Sequence, residues 1–320
     1  MRWALALFCL FAGHALLGCR CQSDEHKDEL PSAPSALIIG KAAKPRTLYL
    51  PDASAQRLTP MPQPAAPTPQ TTQGRCAPEM VDVQGAFCID RYEAVLVDAV
   101  SGERLSPYYH PARAQALKTF DYWQQAREQV GPQWARRMPL PDLPAWERER
   151  EIVPEASSLP GQVPSGYLSA DIAAQACQRA GKRLCTEDEW VRACRGQAQL
   201  KFPYGAEYQQ GVCNIFSDDH PAKLLHNNAS EGHLDPRLNL VQADGATLLK
   251  KTGESSACKS TWSSDAAYDM VGNLDEWIDD PSGKFVGGFY ARATREGCDA
   301  SVSVHPRNYF DYSLGTRCCR

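Results

Sequence analysis

Tyr268-Asp269-Met270-Val271-Gly272-Asn273-Leu274-Asp275-Glu276-Trp277 sets carboxylates at Asp269, Asp275 and Glu276 around a glycine turn, between apolar anchors. A hard cation such as calcium takes about six to eight oxygens, from carboxylates and from carbonyls on a bent loop. The spacing lets Asp269 and Glu276 supply side-chain oxygens while Gly272 and Leu274 turn carbonyls inward. Read alone, the ten residues are equally a solvated acidic turn between two strands. The rest of the chain decides which.

The 320 residues hold one large domain or two small ones, and 43% hydrophobic content allows a real core. Net charge is −4, so no basic footprint points to nucleic acid. Thirteen cysteines suggest an oxidising compartment. The N-terminus agrees. Met1-Arg2 precedes an apolar run from Trp3 to Leu17 and then Gly18-Cys19, the pattern of a secretory signal over residues 1–18. The run is too short for a spanning helix. Leu16-Leu17-Gly18-Cys19 resembles a bacterial lipobox, whose cysteine becomes the lipidated first residue; a plain signal peptide is the alternative. The expectation is a lipoprotein of the bacterial cell envelope, anchored through Cys19 and facing the periplasm or the cell surface.

Residues 19–75 show no periodic pattern, and prolines recur at 31, 34, 45, 51, 60, 62, 64, 67 and 69. Such a segment buries too little apolar surface to fold and reads as a tether. The globular part spans 76–320. Met80–Val83 and Ala86–Asp90 read as strands around Gln84-Gly85, with Cys76 and Cys88 near enough to bridge. Residues 112–150 read as an inserted helical or irregular excursion, with helical spacing in Phe120, Trp123, Ala126 and Val130. Ser169 caps a helix through Arg179, with Gly181 as its stop. Thr186 and Glu189 form a capping box opening a short helix that carries Trp190, Val191 and Cys194. Beyond Gly196 the chain is loop-rich, with short strands around 284–290 and 314–319. Loops of that length need bound ions or disulfides to be stable.

Gly181-Lys182-Arg183-Leu184-Cys185-Thr186-Glu187-Asp188-Glu189-Trp190, Phe202-Pro203-Tyr204-Gly205, Cys213-Asn214-Ile215, the segment from Asp269 to Trp277, Gly287-Gly288 and Leu314-Gly315-Thr316-Arg317-Cys318 occur in one order. In that order they resemble formylglycine-generating enzymes and their sulfatase-modifying-factor relatives, over roughly Cys76 to Arg320. The resemblance implies an α+β, C-type-lectin-like fold with little regular secondary structure, rich in disulfides. It implies two structural calcium sites. One uses Asn214, the carbonyl of Ile215, Asp244 and the carbonyl of Ala246; the other uses Asp269, the carbonyls of Gly272 and Leu274, and Glu276. Family bridges map onto Cys177–Cys318 and Cys194–Cys298. Of the remaining six cysteines, Cys76–Cys88, Cys185–Cys319 and Cys213–Cys258 are plausible among the roughly fifteen pairings that six allow. Cys21 is then left free beside Cys19.

Oxidising members of that family convert a substrate cysteine to formylglycine with oxygen and copper(I) held by two cysteines. Soft thiolates suit copper(I). The resemblance places those positions at Arg292 and Gly297, and Phe289 where a serine normally follows the glycine pair. No copper is expected. The histidines at 220, 226 and 233 read as solvated loop residues rather than a metal site. Two functions remain open. One is a noncatalytic binding or scaffold module that presents a surface near Phe289, Tyr290, Arg292 and Arg295 to a peptide, glycan or envelope protein. The other is a metal-dependent oxidoreductase of the same family with a divergent active site.

Overall fold

The computed structural model describes residues 75–320. The leader 1–18, Cys19 and the tether up to residue 74 lie outside the described residues. β1 (Met80–Val83) and β2 (Phe87–Asp90) pair antiparallel with Val83 opposite Phe87. Their reversal puts Gln84 and Gly85 at φ 51° and 68°, a region glycine enters without steric cost. The Gly85 amide donates to Asp82 at 2.6 Å, fixing the turn.

β3 (Ala94–Asp98) and β4 (Pro154–Ser158) also pair antiparallel, and the expected excursion runs between them. It holds α1 (Arg113–Ala126), α2 (Gln133–Arg137) and α3 (Ala145–Glu149). The helical spacing overran by one turn: α1 stops at Ala126 and Val130 lies beyond it. Only Ala116 and Trp123 of α1 are buried, so a single narrow stripe docks it. Arg237, itself fully buried, joins this segment to the main body. Its Nη1 donates to the Ala135 carbonyl at 2.5 Å, its guanidinium lies 5.8 Å from the Trp123 ring centre, and Asp235 balances its charge at 2.6 Å.

α4 (Ala170–Arg179) starts where Ser169 accepts the Ile172 amide and ends before Gly181 at φ 67°. α5 (Glu187–Arg195) carries the capping box read from the sequence, the Thr186 hydroxyl accepting the Glu189 amide while the Glu189 carboxylate accepts the Thr186 amide. Such a cap stabilises a helix by about 1 kcal/mol. α4 precedes and α5 follows β5 (Arg183–Leu184). Further on come α6 (Pro221–His226), the hairpin of β6 (Gln242–Ala243) with β7 (Ala246–Thr247), and the hairpin of β8 (Lys259–Trp262) with β9 (Asp265–Tyr268). β10 (Asp275–Trp277), β11 (Phe285–Val286), β12 (Ser301–Val302), β13 (Leu314–Thr316) and β14 (Cys318–Cys319) complete the order.

Two small sheets result, one ordered β1-β2-β14-β5 and the other β12-β11-β10-β13, with β10 and β13 parallel. The fold is α+β and short of regular structure, as expected. Strands this short are marginal alone, and covalent ties supply the rest. The five disulfides are Cys76–Cys88, Cys177–Cys318, Cys185–Cys319, Cys194–Cys298 and Cys213–Cys258, the pairs named from the sequence. Those from Cys177, Cys185 and Cys194 close loops of 141, 134 and 104 residues. In the chain-entropy model each stabilises by about 4–5 kcal/mol. The first two tie α4 and the end of β5 to β14, and the third ties α5 to the turn before β12.

Candidate functional site

The decapeptide lies at the centre of the molecule and is not a solvated turn. Asp269, Asp275 and Glu276 are 3%, 0% and 1% exposed. Asp269, Gly272 and Asn273 take φ of 55°, 89° and 61°. A Cβ on Gly272 would meet the Asn214 carbonyl oxygen at 2.3 Å, so only glycine fits. Glu276 faces a cation from its own fold. Arg317 grips its carboxylate through Nε and Nη2, the closest contact 2.7 Å, and the Trp190 indole donates at 2.7 Å. Arg317 also donates to the Tyr268 carbonyl at 2.8 Å, so one guanidinium stitches the C-terminal strand to β9 and β10.

Glu93, with no signal in the sequence, completes the network. Its carboxyl accepts from the Leu274 amide at 3.0 Å and the Asn273 side-chain amide at 2.6 Å. Burial, then the neighbouring charges of Asp269 and Glu276, hold Glu93 well above the usual carboxylate range. Burial lifts Asp269 to about 6 against the pull of the Gly253 amide and Arg317. Three buried carboxyls therefore share one guanidinium, and raised proton affinity offsets part of the excess negative charge.

The residues of the calcium expectation make hydrogen bonds within the protein. Both Glu276 oxygens are committed to Arg317 and Trp190, and one Asp269 oxygen accepts the Gly253 amide at 2.6 Å. In the other expected set, Asn214 turns its amide nitrogen to the Leu248 carbonyl and Asn273. Asp244 and Ala246 sit exposed at the β6–β7 turn. Among the described residues no three His, Cys, Asp or Glu side chains are arranged to hold a metal ion.

Of the two expected copper positions, one holds an arginine in an ion pair and the other a glycine packed against backbone. Arg292 extends to Asp275, 2.7 Å from Oδ1, and the same oxygen accepts the Gly288 amide at 3.0 Å. Burial pushes Asp275 up to about 7, with Arg292 pulling the other way. The second oxygen of Asp275 and the hydroxyl of Thr294 are buried without partners, as is Nδ1 of His220. Gly297 lies against Lys201, where a Cβ would stand 2.3 Å from the carbonyl oxygen. Every cysteine among the described residues is in a disulfide, Cys298 with Cys194 included. Among the described residues no free thiol remains.

Residues 119–311 match the sulfatase-modifying factor enzyme 1-like domain. The chain belongs to that family. Among solved structures it is similar to CarF, at 14% identity over 73% of this chain and 86% of that one, TM-score 0.35. It is likewise similar to PvdO from Pseudomonas aeruginosa, at 14% identity over 73% and 80% of the two chains, TM-score 0.34. No curated protein matches. As a sulfatase-modifying-factor domain it keeps the framework motifs of the resemblance and carries Arg292 and Gly297 at the two positions expected for copper thiolates.

The surface expected at Phe289, Tyr290, Arg292 and Arg295 divides in two. Tyr290 is fully buried, its hydroxyl 3.0 Å from Asn239 and its amide on the Asn273 carbonyl. Phe289 is 7% exposed and Arg292 half-buried, whereas Arg295 is exposed. Backbone pairing of Ser217 and Phe216 with Tyr290 and Arg292 draws this segment inward. Of the three histidines read as solvated, His226 has a buried side chain, while His220 and His233 are half-buried. The His226 side chain is 4% exposed and stacks 5.2 Å from Trp123, and His220 shares 3.2 Å with the Tyr312 hydroxyl.

Proposed function

We propose that the chain is a membrane-anchored extracytoplasmic lipoprotein whose sulfatase-modifying-factor domain is a noncatalytic binding or scaffold module. The observation that carries this reading is the Asp275–Arg292 ion pair at the position of the first copper thiolate. With all described cysteines consumed in bridges, sulfur-based oxidation of a substrate cysteine has no thiolate to begin from. The five disulfides favour an oxidising compartment, and no helix among the described residues is long and apolar enough to cross a membrane. Anchoring rests on Cys19, and the partner is a peptide, glycan or protein of the envelope. The test is incubation of the copper-treated, oxygenated protein with a cysteine-containing peptide. Unchanged peptide supports the reading, and sulfur loss with aldehyde formation overturns it.

A second reading, a metal-dependent oxidoreductase with a divergent site, is favoured by the orphaned atoms of Asp275, Thr294 and His220. Buried polar atoms without partners mark places where something is missing. Metal analysis of the purified chain separates the two readings. Iron or copper retained at one equivalent selects the second.

A further inference from the structure

An aromatic ledge with two unpaired cations stands beside this site. The loop following α5 carries Tyr204 and Tyr208 over the buried ring of Phe202. Phe202 lies 5.5 Å from Tyr204 and 6.3 Å from Tyr208, and Tyr208 packs 4.7 Å from Phe216. Lys201 sits 5.8 Å from the centre of the Phe202 ring, and Arg295 sits 5.5 Å from that of Phe216. Cation–π placement of this kind orients a charged head while leaving its N–H groups free. Neither cation has a carboxylate partner among the described residues, although the chain carries a net charge of −4. Both line one open depression of about 340 Å³ with Phe202, Ala206, Glu207 and Tyr208. Tyr208 is 38% exposed, the only one of the ledge's rings among the chain's exposed large side chains.

We propose that this depression binds an anionic saccharide, its ring face lying on Tyr208 and its carboxylate or phosphate held between Lys201 and Arg295. An aromatic floor offers a flat apolar face with little entropy to lose. The two cations supply charge-assisted hydrogen bonds to an acid group. Glu207 at the rim accepts from sugar hydroxyls and disfavours a ligand that is acidic throughout, such as a polyglutamate peptide. The assignment rests on the binding-module reading and names its ligand class.

The test is isothermal titration of the full chain with trigalacturonate, with glucose 6-phosphate, with neutral maltotriose and with a polyglutamate peptide. Binding of either acidic sugar, at least about tenfold tighter than maltotriose, is expected. Binding by trigalacturonate alone selects a carboxylated glycan, and binding by the sugar phosphate alone selects a phosphorylated one. Lys201→Ala with Arg295→Ala is expected to remove about tenfold or more of that affinity, and Tyr208→Ala to abolish it while Tyr208→Phe retains it. Thermal melting of each variant checks that the fold persists. No binding by either acidic sugar, equal binding by maltotriose, tighter binding by the peptide, or binding indifferent to all four substitutions overturns the assignment. None of these outcomes generates formylglycine, so they leave the noncatalytic reading standing on its own test.

Discussion

Replacing Arg317 by methionine keeps the length of the side chain and removes the one guanidinium facing Glu93, Asp269 and Glu276. In the native fold Arg317 is 1% exposed and holds Glu276 through both Nε and Nη2, with further bonds to the carbonyls of Tyr268 and Asp90. The substitution leaves Glu276 with the Trp190 indole alone. Stripping one partner from a buried pair costs about 3–5 kcal/mol, because the remaining charge is desolvated and unpaired. Urea unfolding monitored by tryptophan fluorescence reads the loss directly, with the slope checked for two-state behaviour. The double variant Arg317→Met with Glu276→Gln is predicted to recover part of it, since a neutral amide still accepts from Trp190. A single-variant loss below about 1 kcal/mol, within the range of an exposed ion pair, would refute the view that Arg317 neutralises this core.

Three further outcomes follow from the same structure. Dialysis against EDTA leaves the melting temperature unchanged, because both Glu276 oxygens and one Asp269 oxygen accept hydrogen bonds inside the protein; a fall that added calcium reverses contradicts this. Glu147 is 4% exposed, and burial pushes its carboxyl up to about 7 while the Ser106 amide opposes the shift. The folded state then binds the extra proton, so stability declines as pH rises from about 4.5 to 7. Glu147→Gln flattens that part of the stability profile and adds on the order of 3 kcal/mol at pH 8, read by urea midpoints at pH 4.5, 6 and 8. Trp123→Ala removes the buried ring that α1 sets against Arg237 and His226, a change of about 3–5 kcal/mol for a core tryptophan. Limited proteolysis is predicted to begin within residues 113–150, and uniform cleavage across the domain would argue against a locally docked segment.

The framework was legible wherever local chemistry decides it. Ser169, Gly181 and the Thr186–Glu189 box announce α4 and α5 because caps satisfy backbone groups within a few residues of themselves. Motif order identified the family and, through it, bridges spanning more than a hundred residues. What stayed hidden depends on contacts distant in sequence. Glu93 reaches Asn273 across 180 positions, and no pattern around it marks that role. Asp275 and Arg292 each look unremarkable, and their pairing becomes visible only when Gly288 folds between them. The spacing of carboxylates in the decapeptide is likewise silent on the buried arginine that reaches Glu276 from beside the C-terminal strand. His226 was read as a solvated loop residue because polar side chains in a Gly/Pro/Asn-rich stretch usually lie outside, whereas the structure sets it at the end of α6 with its side chain buried beside Trp123. The β8–β9 hairpin was passed over because Trp262-Ser263-Ser264-Asp265 lacks the asparagine–glycine turn signal; Ser263 supplies the left-handed residue at φ 54° instead.

The central claim, a sulfatase-modifying-factor fold without its copper chemistry, is tested most directly by copper(I) competition against a chelator of known affinity. The measurement uses the full chain with Cys9, Cys19 and Cys21 changed to serine, so that only the disulfide-bonded cysteines remain. The account predicts that the chelator keeps all the copper and that thiol titration of the denatured, unreduced protein finds no free sulfhydryl. One equivalent of copper withdrawn from the chelator, accompanied by two titratable thiols, would contradict it.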